Sequence, residues 1–239
     1  MPSDYPPFIL FSPAHLRTVG LIFAIGISVA AWMKNSPPNV QRIFEKYFAW
    51  TLIVFESFKP FYRFAWIGEP WQEVLPLYLC NMSIYLLAFI IFTKSYRAYE
   101  IVYFWAFAGG VMALATPDVP GSFPHPEYLL YFTNHGLIIL GIFFVSLVYG
   151  YRPKIESIWH SYRAALVVLV LVFPLNYILG EGANYLYLRD KPQVGSLMDF
   201  MPNPPFHIPI VMVLAYLFFW LVYLPYFFRD YFMKRNALT

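Results

Sequence analysis

The stretch YLLYFTNHGLIILGIFFVSLVY, residues 128–149, decides the fold class of this chain. It contains no Asp, Glu, Lys or Arg. Because about 20 apolar residues of α-helix cross a bilayer core about 30 Å thick, this stretch predicts a transmembrane helix. Six further apolar stretches approach that length: 14–33, 43–58, 74–93, 98–115, 164–180 and 208–228. The sequence therefore predicts an all-α, polytopic membrane helix bundle of about seven transmembrane helices.

The composition favours the same fold class. Of the 239 residues, 60% are hydrophobic and 12% are charged, whereas soluble domains are about 45–50% apolar and about 25% charged. The connecting stretches are too short for a soluble domain, so we expect a single transmembrane domain over residues 1–239. The 16 Lys and Arg residues are spread between the apolar stretches, so nucleic acid is not an expected partner. The sequence leaves the oligomeric state open.

The distribution of Lys and Arg predicts the orientation. Seven spans put the termini on opposite sides, and the side richer in Lys and Arg faces the cytoplasm. Loops on the side of the N-terminus carry 5 of these residues and those on the other side carry 11, which together account for all 16. We therefore expect the N-terminus outside and the C-terminus in the cytoplasm.

Two reactive side chains are predicted to lie at one depth. Cys80, the one cysteine of the chain, lies about six residues, or roughly 9 Å, below the predicted start of the third span. His135 lies about seven residues, or roughly 10 Å, below the predicted start of the fifth span. Both spans run inward from the outer side, so the thiol and the imidazole share a depth.

Further polar residues are expected at the same level. They are Glu56, Asn81, Asn134, Asn176, Glu181 and Asn184. By contrast, the inner halves of the third, fifth and sixth spans are nearly free of polar groups. Because polar groups at bilayer depth are costly, the sequence predicts a polar pocket in the outer half of the bundle.

These residue types favour nucleophilic chemistry. An imidazole can take the proton of a nearby thiol and leave a nucleophilic thiolate, so Cys80 and His135 form the candidate catalytic pair. Asparagine amides could orient the imidazole or stabilise an oxyanion, and a glutamate could hold the histidine tautomer. Structural interpretations stay open: Cys80 as an apolar filler, His135 as a helix contact, and Glu56 as a partner of Lys59 or Arg63.

Other chemistry has weaker support. His15, His125 and His207 are expected in or near outer loops, but no HxxxH, HxxE or CxxC spacing accompanies them, so no metal site is predicted. Walker, GxSxG and GxGxxG motifs are also missing from the sequence, so nucleotide use has no support.

Four segments together resemble a known family. LPLYLCNMSIYL around Cys80, YFTNHGLII around His135, NYLYLRDKP from Asn184 to Pro192, and GSLMDFMPNPPFHIPI before the last span resemble recurring segments of the YwaF-type integral membrane proteins of bacteria. Their order and spacing agree over the third to the seventh span. The resemblance implies a multi-pass protein of the bacterial inner membrane.

The resemblance also implies an activity. Eukaryotic relatives of that family are described as transmembrane acyltransferases that remodel phospholipids with a Cys nucleophile and a His partner, and more distant relatives hydrolyse fatty esters with Thr and His. Matched by motif, Cys80 and His135 take those two positions, while Asn184, Lys191 and Pro192 match the third segment, whose role is unknown. The family often has a small residue after the cysteine, whereas Asn81 follows it here.

The leading hypothesis is a membrane-embedded lipid acyltransferase or acyl hydrolase. Cys80, deprotonated by His135, would attack an acyl ester of a membrane lipid that enters from the outer leaflet, with no cofactor. A transporter or channel would also use an outer polar pocket, although it would need a path through the apolar inner halves. A scaffold without chemistry is the third alternative.

Overall fold

The computed structural model describes residues 5–192 and 197–236. Residues 195 and 196, which begin the last of the four resembling segments, lie outside this range. Within the described range the chain forms seven longer helices and no strand. We number them α1 (Pro13–Lys34), α2 (Pro38–Tyr62), α3 (Leu79–Thr93), α4 (Tyr96–Ala115), α5 (Pro126–Val148), α6 (Ile155–Leu179) and α7 (His207–Asn236). The predicted all-α polytopic bundle is confirmed.

Contacts at both ends of the bundle show that successive helices alternate in direction. His15, at the start of α1, donates through Nε2 to the carbonyl of Leu114 at the end of α4, with an N–O distance of 2.8 Å. At the opposite end, Arg152 after α5 pairs with Asp230 near the end of α7 at 2.7 Å. We call the end at which α1, α3, α5 and α7 begin the upper end, and the opposite one the lower end.

Close approaches at glycine fix α5 against two neighbours. A Cβ at Gly26 of α1 would lie 3.2 Å from the ring of Phe143, and a Cβ at Gly141 of α5 would lie 2.8 Å from Leu87 of α3. Small residues allow such contacts between membrane helices. α4 and α5 are the most buried of the long apolar helices, whereas α1, α6 and α7 present most of their apolar surface outward.

Within the described residues, five helices are long and apolar enough to cross a membrane: α1, α4, α5, α6 and α7. α3 is equally apolar but has only 15 residues. α2 has 25 residues, among them Glu56 and Lys59. α2 packs mainly against α3, and α3 packs against α4 and α5. Both therefore belong to the same helical unit without meeting the length and hydropathy of a simple span.

The third helix begins later than predicted. The sequence predicts a start at residue 74, but α3 starts at Leu79. Pro76 disfavours helical geometry at the residue before it, and the side chain of Asn81 accepts a hydrogen bond from the Tyr78 N–H at 3.2 Å, which satisfies a free donor at the helix start. Cys80 is therefore the second residue of the helix, and the expected six residues of helix above it are wrong.

Three other helices extend beyond their predicted bounds. α2 runs from Pro38 to Tyr62 and continues as the π-helical turn Arg63–Ile67, so Lys59 is helical and not in a loop. α7 continues to Asn236. α6 begins at Ile155 instead of residue 164 because the polar groups of its first turns have partners on α4: Ser157 donates to Glu100 at 2.6 Å and Ser161 donates to the carbonyl of Ile101 at 2.9 Å.

Candidate functional site

A cavity of about 660 Å³ opens beneath the upper end of the bundle. The first turn of α3, the upper half of α4, and facing stretches of α6 and α7 line it, together with Tyr131 of α5 and the segment around Tyr187. Cys80 borders this space and is only partly buried. A volume of this size lies in the range of small-molecule sites, about 300–1,000 Å³. The chain's one thiol is therefore accessible from a cavity inside the helical bundle.

A chain of polar contacts links the residue after Cys80 to the residue before His135. Asn81 of α3 donates through Nδ2 to Glu56 Oε1 at 2.6 Å. The other oxygen of Glu56 lies 2.8 Å from Lys59 Nζ. Lys59 Nζ then donates to Asn134 Oδ1 of α5 at 2.5 Å. We call these four residues, Glu56, Lys59, Asn81 and Asn134, the polar bridge.

The polar bridge is buried. The side chain of Glu56 is 0% exposed and that of Lys59 is 13% exposed. Isolated charges at such depth would be strongly unfavourable, so each needs the other and the two amides. The sequence leaves open a pairing of Glu56 with Lys59 or Arg63 at the membrane interface. The partner is Lys59 and the pair lies inside the bundle, whereas Arg63 pairs with Glu69 at 2.9 Å.

Cys80 and His135 lie at the same level of two parallel helices. Leu87 of α3 packs against Gly141 of α5. Cys80 lies seven residues above Leu87, and His135 lies six above Gly141, so their levels differ by about one residue, or roughly 1.5 Å. The polar bridge joins their sequence neighbours directly. The common depth of the two side chains stays a prediction, and it does not depend on the six helical residues expected above Cys80.

His135 is held in one tautomer. Its Nδ1 lies 2.8 Å from the carbonyl oxygen of Tyr131. A carbonyl only accepts, so Nδ1 carries the proton and Nε2 keeps its lone pair. The ring is 5% exposed and packs on the ring of Tyr131 with centroids 4.3 Å apart. Among the described residues that line the cavity, Tyr131 is present and His135 is not, so the imidazole lies behind the phenol.

Comparison with known proteins assigns a family. The family model described as the TMEM164 family matches residues 10–223. The chain belongs to the TMEM164 family. No curated protein and no solved structure matched. The match does not confirm the YwaF-type name. It reaches from before α1 into α7, so the polar bridge and the described cavity-lining residues other than Phe8 lie within the family region.

Asn176 stabilises the upper loop of this TMEM164 family member instead of joining the polar bridge. Its Nδ2 donates to the carbonyl of Tyr185 at 3.0 Å, and its Oδ1 accepts from the N–H of Tyr185 at 2.7 Å. Tyr185 in turn packs on Tyr78 with ring centroids 5.3 Å apart. Asn176 therefore acts through Tyr185 on the residue that precedes α3.

The remaining predicted polar residues lie in the loop after α6. Asn184 Oδ1 accepts from the N–H groups of Arg189 and Asp190 at 3.0 and 3.1 Å, and its Nδ2 donates to the carbonyl of Asp190. Its amide is thus used in folding its own loop. Glu181 is exposed. The structure brings Asn81 and Asn134 into one network beside Cys80 and His135, and places Asn176, Glu181 and Asn184 in or under the loop.

The cavity of this family member has a polar upper end. Tyr187, Asp118 and His207 border it there. Tyr187 donates to Asp118 Oδ2 at 3.4 Å, and burial raises the pKa of the Tyr187 phenol. His207 Nε2 donates to the carbonyl of Tyr187 at 2.8 Å. The phenol therefore stays protonated at neutral pH, and the upper end offers donors and acceptors to a ligand's polar group.

Sequence reasoning missed two features of the site. It places Lys59 in a loop, although the spacing of three residues from Glu56 inside an apolar stretch is a helical pairing signal. The role of Tyr131 and Tyr187 as cavity walls carries no local signal, because aromatic residues at helix ends are also typical of the membrane interface. Only the packing of distant helices identifies these phenols.

Proposed function

We propose that this TMEM164 family member is a membrane-embedded acyltransferase or acyl hydrolase of lipids in the bacterial inner membrane, with Cys80 as nucleophile and His135 as its base. The observation that carries the proposal is the position of Cys80, which lies in the first turn of α3 and borders a largely apolar cavity. An apolar cavity beside a nucleophile suits an acyl ester better than a polar substrate.

The position of Cys80 in α3 supports its role as nucleophile. The first turn of a helix presents free N–H groups and the positive end of the helix dipole. Both stabilise negative charge on a sulfur placed there. Such N–H groups can also donate to the oxyanion that forms when a carbonyl beside the sulfur is attacked.

The proposed reaction has two halves. The ring of Tyr131, which packs on His135, turns aside so that the imidazole meets the cavity. His135 Nε2 then takes the thiol proton, the sulfur of Cys80 bonds to the ester carbonyl carbon, and the carbon–oxygen bond to the alcohol breaks. The leaving alkoxide takes the proton from His135 and departs as a lyso-lipid alcohol. A second alcohol, or water, then gives its proton to His135 and attacks the thioester. The carbon–sulfur bond breaks, and the thiolate recovers the proton.

The polar bridge supports the arrangement of this pair. Glu56 binds the side chain next to Cys80, and Lys59 binds the side chain next to His135. Charge-assisted hydrogen bonds of this kind are stronger and more directional than neutral ones. The bridge therefore restrains α3 against α5 at the level where proton transfer has to occur.

Trapping of the thioester tests the proposal. The wild type, Cys80→Ala and His135→Ala are reconstituted in vesicles that contain a phospholipid with an alkyne-tagged acyl chain. We expect hydroxylamine-sensitive label on the wild type, none on Cys80→Ala, and labelling of His135→Ala slowed by about 10²–10⁴-fold. Transfer of the tag to an added lyso-lipid, or its release as free acid, separates acyltransferase from hydrolase.

Thr93→Ala is the matched control, because Thr93 lies at the other end of α3 and bonds the Phe89 carbonyl of its own helix. It should label as the wild type does. If Cys80→Ala and His135→Ala insert normally and change neither the label nor the whole-cell lipid profile, the enzymatic proposal is wrong.

A further inference from the structure

The cavity next to Cys80 changes character from top to bottom. Its upper end carries the thiol, Asp118 and the phenols of Tyr131 and Tyr187. Further down, the described lining residues on α6 and α7 are apolar apart from the phenol of Tyr162. This arrangement matches a molecule with one polar end and one long apolar end.

Three residues mark the lowest point of the cavity wall on the helices that carry them. Among the described lining residues, Gly109 is the lowest on α4, Tyr162 the lowest on α6, and Phe218 the lowest on α7. From His207 to Phe218 the wall follows α7 for eleven residues, or roughly 16 Å at 1.5 Å per residue. We call Tyr162 and Phe218 the cavity floor.

Gly109 leaves open space beside the cavity. It belongs to the π-helical turn Trp105–Gly110 of α4, a local widening of the helix that is frequent at functional sites. A Cβ built at Gly109 would meet no atom within 4 Å. Because Gly109 lines the cavity, we expect a large side chain there to take up part of the free space above Tyr162 and Phe218.

We propose that this cavity is a pocket for a single fatty acyl chain, which lies along α7 with its carbonyl at Cys80 and its methyl end on the cavity floor. The depth of the pocket then selects the chain length. This inference rests on the proposed function, because it names the part of the substrate that the cavity binds. Tyr162 and Phe218 are specificity-determining residues in this assignment, and Gly109 sets the free depth above them.

Photocrosslinking tests the pocket without depending on the acyl-transfer chemistry. The full chain with Cys80→Ala is incubated with fatty acids of graded length that carry a diazirine at the last carbon, and crosslinked peptides are mapped. The longest chain that binds should crosslink to the segments around Tyr162 and Phe218. Shorter chains should crosslink to higher positions on α6 and α7.

Two substitutions should move the length preference in opposite directions. Gly109→Leu should reduce the binding of long chains relative to short ones by about ten-fold or more, since a misfit of one or two methylenes has this effect in an apolar pocket. Phe218→Ala should increase the length of the longest fatty acid that binds. Gly20→Leu and Leu217→Ala are the matched controls, because Gly20 also has open space around a Cβ and Leu217 is 56% exposed.

The outcomes separate this inference from the proposed function. Crosslinks spread over outward-facing residues such as Leu171, or a length profile that neither Gly109→Leu nor Phe218→Ala moves, would overturn the acyl pocket even if Cys80 forms a thioester. Crosslinks at the floor with the expected shifts support the pocket, and they do so even where the wild type forms no thioester and the proposed function fails.

Discussion

At the scale of single residues, the stability of this protein depends on the buried ion pair of Glu56 and Lys59. Removing one partner of a buried ion pair leaves an uncompensated charge at a cost of about 3–5 kcal/mol, whereas replacing both by neutral groups is often harmless. We expect Lys59→Met to lower the free energy of unfolding by about 3–5 kcal/mol. The double variant Glu56→Gln/Lys59→Met should recover most of this loss. Thermal unfolding in detergent, followed by tryptophan fluorescence, measures both.

The pair of Glu45 and Lys94 is the control for burial. Its oxygen and nitrogen lie 2.7 Å apart, but the side chains are 17% and 45% exposed. Glu45→Gln leaves the charge of Lys94, which is 45% exposed and can be solvated by water. Exposed pairs contribute about 0–1 kcal/mol, so Glu45→Gln should cost no more than that. A loss for Glu45→Gln as large as that for Lys59→Met would contradict the argument from burial.

At the scale of helices, the contact between α3 and α5 sets the relative level of Cys80 and His135. A Cβ at Gly141 would lie 2.8 Å from the end of the Leu87 side chain, so Gly141→Val should push the two helices apart. Overpacking of this kind costs about 1–3 kcal/mol. We expect that loss of stability in thermal unfolding, together with slower thioester formation on Cys80.

Leu87→Ala provides the rescue for this prediction, because it removes the atoms that the new valine side chain would meet. The double variant Leu87→Ala/Gly141→Val should recover part of both losses. Gly20→Val controls for the loss of a helix glycine, since nothing lies within 4 Å of a Cβ there. A thioester rate that stays at the wild-type level in Gly141→Val would show that the contact does not position the pair.

The helix ends show where sequence reasoning stops. α5 and α1 agree with prediction to within two residues, because long apolar stretches carry their own signal. α3 starts late because a side chain within its own first turn, Asn81, binds the backbone of Tyr78, a local competition that hydropathy does not record. α6 starts early because Ser157 has a partner, Glu100, that lies far away in the sequence.

For the candidate site, too, the sequence predicts some features and not others. Cys80, Asn81, Asn134 and His135 can be found from the sequence, since polar residues within apolar stretches need a partner or a function. The same rule finds Asn176, but its amide binds the backbone of Tyr185. The rule identifies buried polar groups and not their partners, which depend on how the helices pack.

At the scale of the whole molecule, the alternation of the helices places the loops after α2, α4 and α6 at the upper end and those after α1, α3 and α5 at the lower end. The lower side carries 11 of the 16 Lys and Arg residues, so the positive-inside rule predicts that it faces the cytoplasm. The lipid substrate proposed for Cys80 would then come from the outer leaflet.

Labelling of single cysteines tests this orientation. In the Cys80→Ala background, Glu181→Cys places a thiol just after α6 at the upper end, and Glu156→Cys places one in the first turn of α6 at the lower end, with both positions exposed. A membrane-impermeant maleimide should label Glu181→Cys in intact cells and Glu156→Cys only after permeabilisation. Both variants remove one glutamate, a residue type that contributes little to membrane orientation. The reverse labelling pattern would place Cys80 near the inner leaflet. The lipid substrate of the proposed pocket would then come from the inner leaflet.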